Sequence, residues 1–120
     1  MVINEASMTP LFIQIAEWIE DEILKGNILE EEQIPSTNQF AALYKINPAT
    51  AGKGMNILVD EGIIYKKRGI GMFVSSGARG MIGEKRRDRF LKESVSTLVS
   101  EAKKLGIAKE EIIRIINETD

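Results

Sequence analysis

The fold of this chain is decided by residues 35–74, PSTNQFAALYKINPATAGKGMNILVDEGIIYKKRGIGMFV. Two segments with apolar residues at helical spacing are separated by the short turn Lys45-Ile46. Two short apolar strands around the turn Gly69-Ile70-Gly71 follow them. The order helix, tight turn, helix, hairpin is that of a winged helix-turn-helix, in which the second helix of the pair enters a DNA major groove. We therefore predict a fold that is mainly α with a small β-hairpin wing.

Three helix starts are marked by residues that cap a helix or fit its first turn. Thr9-Pro10 predicts the start of a first helix, Ser36 caps a second, and Asn47-Pro48 opens a third. If Ala51 faces the core, the opposite side of the third helix carries only small, polar or cationic residues. That surface chemistry suits close approach to a DNA groove.

Charge is unevenly distributed along the chain, although the net charge is only −2. Acidic residues crowd residues 17–32, whereas residues 33–59 and 62–83 contain none. Both acid-free stretches coincide with the predicted DNA-reading elements and contain lysine or arginine. A local basic surface attracts phosphates whatever the net charge. We therefore predict double-stranded DNA as a partner.

Composition argues against catalysis. The chain has no histidine and no cysteine, which removes the commonest general base, the thiolate nucleophile and the commonest transition-metal ligands. We therefore expect no enzyme, no catalytic residue, no metal site and no cofactor. No segment resembles a signal peptide or a membrane span, so a cytoplasmic protein without membrane contact is predicted.

The last third of the chain has a different pattern. A predicted linker, residues 75–77, divides a DNA-binding domain, residues 8–76, from a helical segment, residues 77–120. Two helices with apolar faces cannot form a core alone, so we expect this segment to dimerise with a second copy. The alternative is that both helices fold back on the winged domain of a monomer. The predicted dimer interface consists of Leu91, Val95, Leu98, Ala102, Leu105, Ile112 and Ile116.

Together these motifs resemble the GntR family of bacterial transcription regulators over residues 10–74. The C-terminal part is similar to that of the YtrA subfamily, in which two short helices after the wing serve dimerisation. The resemblance implies a winged helix-turn-helix followed by a two-helix C-terminal dimerisation segment. The motifs that carry the family resemblance are Pro10-Leu11, Gln14-Ile15, Ile34-Pro35-Ser36, Asn47-Pro48-x-Thr50, Leu58-Val59-x-Glu61-Gly62-Ile63-Ile64-Tyr65 and Arg68-Gly69-x-Gly71-x-Phe73-Val74. The subfamily resemblance rests on Asn47-Pro48 and on Leu105-Gly106-Ile107-Ala108-x-Glu110-Glu111-Ile112-Ile113.

The family's DNA contacts, carried over by position, fall at the starts of the second and third helices and at the wing tip. The family usually has arginine at position 38, and many members have it at 48 and 52. This chain has Asn38, Pro48 and Gly52 instead, so its base preference is predicted to depend less on guanine. With Lys67 of the basic hairpin tip added, the predicted DNA-binding residues are Ser36, Asn38, Asn47, Ala49, Thr50, Gly52, Lys53, Lys67, Arg68, Gly69 and Gly71.

The sequence thus predicts a sequence-specific transcription regulator, a homodimeric repressor that binds a palindromic operator through the third helix and the wing. The alternative is a winged-helix protein-interaction module without DNA binding, which the missing arginines favour. Two smaller alternatives stay open. The glycines of the third helix are either tolerated weakness, with close helix packing at Gly54, or Gly52 lets the backbone approach DNA closely. The basic run 85–89 either extends the phosphate contacts or is the solvent-exposed face of a helix, and the interleaved Glu84, Asp88 and Glu93 favour the exposed face. A small-molecule effector stays unknown.

Overall fold

The computed structural model describes all 120 residues, which form two compact units, Met1–Gly83 and Glu84–Asp120. The prediction of a mainly helical fold with a small β wing is confirmed. The elements are α1 (Leu11–Leu24), β1 (Gln33–Ile34), α2 (Thr37–Tyr44), α3 (Pro48–Asp60), β2 (Ile64–Lys67), β3 (Gly71–Val74), α4 (Ala78–Arg89), a π-helical turn (Phe90–Val95), α5 (Ser96–Lys104) and α6 (Lys109–Glu118).

The wing belongs to a three-stranded antiparallel sheet in the order β1-β3-β2. The hairpin pairs β2 with β3, with Tyr65 opposite Phe73. The short strand β1 pairs with the other edge of β3 and sets Gln33 opposite Phe73. No local sequence pattern marks β1, because its pairing partner in β3 lies about 40 residues further along the chain.

The core of the first unit lies between α1, α2, α3 and the sheet. Ile15 and Ile19 of α1, Met55 and Leu58 of α3, and Phe40 of α2 are all at most 2% exposed. Burying a side chain of this size contributes about 1.5–3 kcal/mol. The inner face of α3 is therefore packed into the core, and the outer face of α3 is exposed to solvent.

Helix α1 starts one residue later than Thr9-Pro10 predicts. Pro10 occupies the capping position, without a side-chain hydrogen bond to the helix amides. Gln14 explains the difference, because its Nε2 donates to the Thr9 carbonyl oxygen over 2.9 Å. The same side chain also bonds the backbone of Asn4 in both directions, at 3.0 and 3.1 Å. The N-terminal segment is thereby held to the first turn of α1.

The predicted linker is hydrogen-bonded to the first unit. The amide of Ser75 donates to the Ile63 carbonyl over 2.9 Å, and the amide of Gly77 donates to the Glu30 carboxylate over 2.6 Å. Ala78 and Ile82 of α4 are fully buried in the first unit's core. The compact units therefore divide after Gly83, and the functional limits 8–76 and 77–120 stay a prediction.

The second unit contains a break in helical geometry. Residues 90–95 form a π-helical turn rather than the regular α-helix that the spacing of Leu91, Val95 and Leu98 assumes. Helix α5 ends before Gly106, which has a φ of +69°, and α6 follows. None of the chain's helices combines the length and the apolar composition that crossing a bilayer requires.

Candidate nucleic-acid interface

The start of α2 is a complete capping box. Ser36 Oγ accepts from the amide of Gln39 over 3.2 Å, and Gln39 Oε1 accepts from the amide of Ser36 over 3.0 Å. This arrangement satisfies two amides that the first helical turn leaves without partners. Ser36 is half-buried, and Asn38 in the same turn is exposed.

The start of α3 is fixed in the same way. Lys45 takes the left-handed conformation, with a φ of +54°, and this ends α2 within one residue. Asn47 Oδ1 then accepts from the amide of Ala49 over 2.8 Å, with Pro48 in the first turn. The predicted turn and cap are confirmed. A helix N-terminus carries partial positive charge and amides that favour an anion.

The outer face of α3 agrees with the predicted surface. Ala49, Lys53 and Asn56 are exposed, Thr50 and Gly52 are half-buried, and none of them is acidic. The Lys53 ammonium lies 4.1 Å from the centre of the Phe12 ring of α1. This cation–π contact holds the Lys53 side chain beside α3, and releasing the side chain from the ring costs only a modest free energy. Sequence reasoning missed Phe12, because its partner lies on another helix.

The two glycines of α3 have different surroundings. A β carbon on Gly54 would lie 2.7 Å from the carbonyl oxygen of Phe12 and 3.2 Å from the β carbon of Ile15. Gly54 is therefore required for the close packing of α3 on α1. A β carbon on Gly52 would meet only Thr37 Cγ2, at the ordinary contact distance of 3.4 Å. Packing accounts for Gly54 and does not account for Gly52.

The wing tip carries the densest basic group of the first unit. Lys67, Arg68 and Gly69 are all exposed where β2 turns into β3. The Lys67 ammonium lies 5.0 Å from the centre of the Phe73 ring, which directs it along the hairpin. The amide of Ile70 closes the turn by donating to the Lys67 carbonyl over 2.9 Å.

Gln33 supports the wing from the neighbouring strand. Its Nε2 donates to the carbonyl oxygen of Ile70 over 3.1 Å. A β carbon on Gly71 would lie 2.5 Å from that same nitrogen, so this contact needs glycine at position 71. Sequence reasoning included Gly71 but missed Gln33, since no local pattern marks a side chain that reaches 37 residues along the chain.

The base of the wing is tied by a tyrosine. Tyr65 Oη donates to Glu31 Oε2 over 2.7 Å, and its ring stacks on Phe73 with centres 5.8 Å apart. The hydrogen bond to the Glu31 carboxylate raises the pKa of Tyr65 above its ordinary value of 10.0, and partial burial and the negative charge of Glu31 act in the same direction. Tyr65 therefore stays neutral at physiological pH and works as a donor.

In the second unit, apolar side chains are exposed on α5, on α6 and in the turn between them. Leu98 is 46% exposed and Leu105 is 71% exposed, while Ile116 of α6 is 61% exposed. Ala102 and Ile112 are half-buried where α5 and α6 face each other across a groove of about 270 Å³. The remaining predicted interface residues, Leu91 and Val95, are exposed as well.

The basic run of α4 is interleaved with acids, as the sequence suggests. Asp88 pairs with Lys92 over 3.1 Å, one turn further along, and both side chains are well exposed. Exposed pairs of this kind contribute little to stability. Within the basic run, Arg87 and Arg89 are exposed, whereas Lys85 and Arg86 are half-buried. No group of three or more histidine, cysteine, aspartate or glutamate side chains is gathered so as to hold a metal ion.

The first unit is thus a winged helix-turn-helix of the DNA-binding class. Residues 12–74 match the family of bacterial regulatory proteins named gntR, and the chain belongs to this family. It is 30% identical to the transcriptional repressor YtrA of Bacillus subtilis (strain 168), over 97% of this chain and 88% of that protein.

Solved structures share the fold. The crystal structure of a transcriptional regulator from Oenococcus oeni superposes with a TM-score of 0.82, at 27% identity, over 98% of this chain and 95% of that one. The DNA-binding domain of AraR in complex with operator ORR3 superposes with a TM-score of 0.54, at 29% identity, over 62% of this chain and 90% of that one. The chain is therefore a DNA-binding transcription regulator.

Proposed function

We propose that this protein is a homodimeric repressor that binds a palindromic operator, with α3 in the major groove and the wing tip at the adjacent minor groove. The observation that carries the proposal is the acid-free outer face of α3, which presents Lys53 in a fold whose wing presents Arg68. A regulator of this kind works on chromosomal DNA, so we expect it in the bacterial cytoplasm, and we propose no catalytic role.

Within α3 the expected contacts follow from side-chain reach. Thr50 and the amides of the first turn suit a phosphate oxygen, which fixes register without reading sequence. Lys53 is long enough to reach either a base edge or a phosphate once it leaves the Phe12 ring. Ala49 is small and exposed, so it allows close approach and contact with a thymine methyl group.

The wing supplies the second part of the proposed interface. Arg68 is exposed at the tip of the hairpin, and the neighbouring Gly69 adds no side chain that would block entry into a narrow groove. A narrow, A·T-rich minor groove has enhanced negative potential, which attracts arginine. Lys67 is placed to neutralise a flanking phosphate.

Dimerisation is supported by the apolar faces of α5 and α6. An exposed stripe that includes Leu98, Leu105 and Ile116 would be unusual on a soluble monomer. A second copy of the same unit is the simplest cover, because a two-fold interface presents one patch to itself. Two linked reading helices also suit a palindromic site, in which each half-site meets one α3. The relative YtrA is named a repressor, which supports repression rather than activation by this chain.

Selection of bound sequences from a random duplex library tests the proposal directly. We expect enrichment of a two-fold symmetric sequence whose half-site centres lie about one helical turn, or a multiple of it, apart. The affinity for the selected site should fall steeply with salt, because each neutralised phosphate releases counterions. Binding without salt dependence, or no enrichment at all, would favour the protein-interaction module instead.

Matched variants then assign the contacts. Lys53→Ala and Arg68→Ala should each weaken binding to the selected site, and Lys25→Ala, which removes the same charge at the end of α1, should not. If Lys53 reads a base, its loss should cost about 1–3 kcal/mol and relax preference at one position. If it contacts a phosphate, binding should weaken evenly across sequences. Unchanged affinity for both variants would contradict the proposed docking.

A further inference from the structure

The first unit contains a cavity of about 220 Å³ that the proposed DNA interface does not use. Its walls come from α1, α2, α3 and the segment around β1, and they include Trp18, Glu22, Ile28, Phe40, Tyr44 and Met55. None of the predicted DNA-binding residues lines it. The volume exceeds that of an engineered apolar cavity of about 150 Å³ that takes up benzene, so one ring with a short substituent fits. We call this space the aromatic cavity.

Three aromatic rings form one wall of the aromatic cavity. The ring centres of Phe40 and Tyr44 are 4.7 Å apart, and Trp18 lies 5.4 Å from Tyr44 and 5.9 Å from Phe40. The angles between the ring planes are 50–65°, so the three rings are not stacked in parallel. Trp18 and Tyr44 are half-buried, which places them towards solvent, whereas Phe40 is buried. Aromatic faces of this kind attract an organic cation as well as a ring.

Charge around the aromatic cavity selects the same kind of ligand. Glu22 is the one charged residue in its lining, and Asn27 Nδ2 holds one oxygen of that carboxylate at 3.0 Å. A single carboxylate in an otherwise uncharged lining favours a cation at the cavity over an anion.

The aromatic cavity also contacts α2 and α3 of the helix-turn-helix, on the side opposite the proposed DNA-binding face. Met55 lies on the inner face of α3, and its sulfur accepts a hydrogen bond from Thr37 Oγ1 of α2 over 3.3 Å. Phe40 and Tyr44 belong to α2, the partner helix of the reading helix. A molecule bound between α1, α2 and Met55 would therefore act on the spacing between α2 and α3, the two helices of the helix-turn-helix.

We propose that the aromatic cavity is a regulatory site for a small aromatic ammonium cation, with Glu22 pairing its charge and the wall of three rings contacting its apolar part. The proposal rests on DNA binding only for its regulatory half, since the binding site itself is independent of DNA.

Trp18 is the chain's single tryptophan and lines the aromatic cavity, so its emission reports on that cavity. The probe is 2-phenylethylammonium, titrated into the full-length protein without DNA, with neutral 2-phenylethanol and anionic 3-phenylpropionate as matched compounds. We expect a saturable change in emission that is tightest for the ammonium compound. Glu22→Gln should weaken that binding about tenfold and leave 2-phenylethanol unaffected. Glu5→Gln, the same charge loss in the N-terminal segment, should change neither.

The regulatory half is tested by the affinity for duplex DNA with and without saturating 2-phenylethylammonium. We expect at least a fivefold change, about the smallest coupling usually seen between two sites, and its loss in Glu22→Gln. The absence of a saturable emission change, or equal binding of all three compounds, would overturn the ligand site while leaving the proposed function intact. Binding of the cation with unchanged DNA affinity would overturn the regulatory role.

Discussion

The side-chain amide of Gln33 donates a hydrogen bond to the carbonyl oxygen of Ile70, over 3.1 Å, and thereby ties the first strand of the sheet to the tip of the wing. A two-stranded hairpin alone is marginally stable in water. The added strand and this side-chain contact therefore keep the wing in the conformation that presents Arg68. Position 71, directly beneath the contact, should be highly sensitive to substitution.

We predict that Gly71→Ala destabilises the protein. Gly71 has a φ of +147°, which side chains with a β carbon rarely adopt, and the added carbon would lie 2.5 Å from Gln33 Nε2. The expected loss in the free energy of unfolding is on the order of 1–3 kcal/mol, measured by urea denaturation. Binding to the selected operator should weaken as well, because the wing tip loses its support.

Gly80→Ala is the matched control for this substitution. Gly80 lies within α4, where a β carbon would meet nothing within 4 Å, so alanine should be neutral or stabilising by up to about 1 kcal/mol. Combining Gly71→Ala with Gln33→Ala removes the clash but keeps the backbone strain, and only part of the stability should return. A Gly71→Ala protein as stable as the wild type would contradict this account of the wing.

Substitutions of the two α3 glycines should have opposite effects. Gly54→Ala places a carbon 2.7 Å from the carbonyl oxygen of Phe12, and overpacking of this kind costs about 1–3 kcal/mol. Gly52→Ala makes only an ordinary contact with Thr37 and gains about 1 kcal/mol of helix propensity. Denaturation of both variants, under identical conditions, measures the difference.

The Gly52→Ala and Gly54→Ala variants also test why glycine is present at position 52. If the backbone at Gly52 approaches DNA closely, Gly52→Ala should bind the selected operator more weakly while unfolding at higher urea. Unchanged DNA affinity together with higher stability would assign Gly52 to tolerated helix weakness instead. Gly54→Ala is informative only for stability, because its side chain would point into the protein.

The bond between Tyr65 and Glu31 predicts a pH dependence. Because the pKa of Tyr65 is raised in the folded protein, its contribution to stability is fully present below the unfolded pKa of about 10. That contribution is lost as the pH rises through the higher folded value. Ultraviolet titration of phenolate absorbance should show the Tyr65 ionisation moving to lower pH in Glu31→Gln, but not in Glu5→Gln. An unchanged titration curve in Glu31→Gln would mean that the 2.7 Å bond does not persist in solution.

The π-helical turn alters which residues can share the proposed dimer face with Leu98. A regular helix turns about 100° per residue, which would align Leu91 with Leu98, seven positions later. A π turn takes up about one extra residue, so Phe90 moves onto the face of Leu98 and Leu91 turns away from it. Phe90 is 59% exposed, which leaves it available for a second chain.

We therefore predict that Leu98→Asp and Phe90→Asp dissociate the proposed dimer, because each would place a charge where two chains are expected to meet. Leu91→Asp, seven residues before Leu98 but rotated from its face by the π turn, should have the smaller effect. Analytical ultracentrifugation of the three full-length variants measures this order. A dimeric Leu98→Asp protein that binds operator normally would show that the interface lies elsewhere, and a stronger effect of Leu91→Asp would restore the regular register.

Local signals in the sequence determined the starts of α2 and α3. Ser36 with Gln39, and Asn47 with Pro48, satisfy the amides of a first helical turn using residues within three positions. The same holds for the wing, where a basic tip followed by Gly69 and Gly71 lies between two short apolar strands. The resemblance over residues 10–74 likewise came from the order and spacing of motifs, and the family match over residues 12–74 confirms it.

Contacts between residues far apart in the chain were decided only by the tertiary structure. Pairing of β1 with β3, the reach of Gln33 to Ile70 and the position of Lys53 over Phe12 each join different elements, so no periodic pattern announces them. The π turn is a further case, because hydrophobic spacing alone cannot reveal an inserted residue. Helix caps and turns are encoded locally by a few neighbouring groups, whereas the support of the wing and the aromatic cavity exist only once the core has brought their walls together.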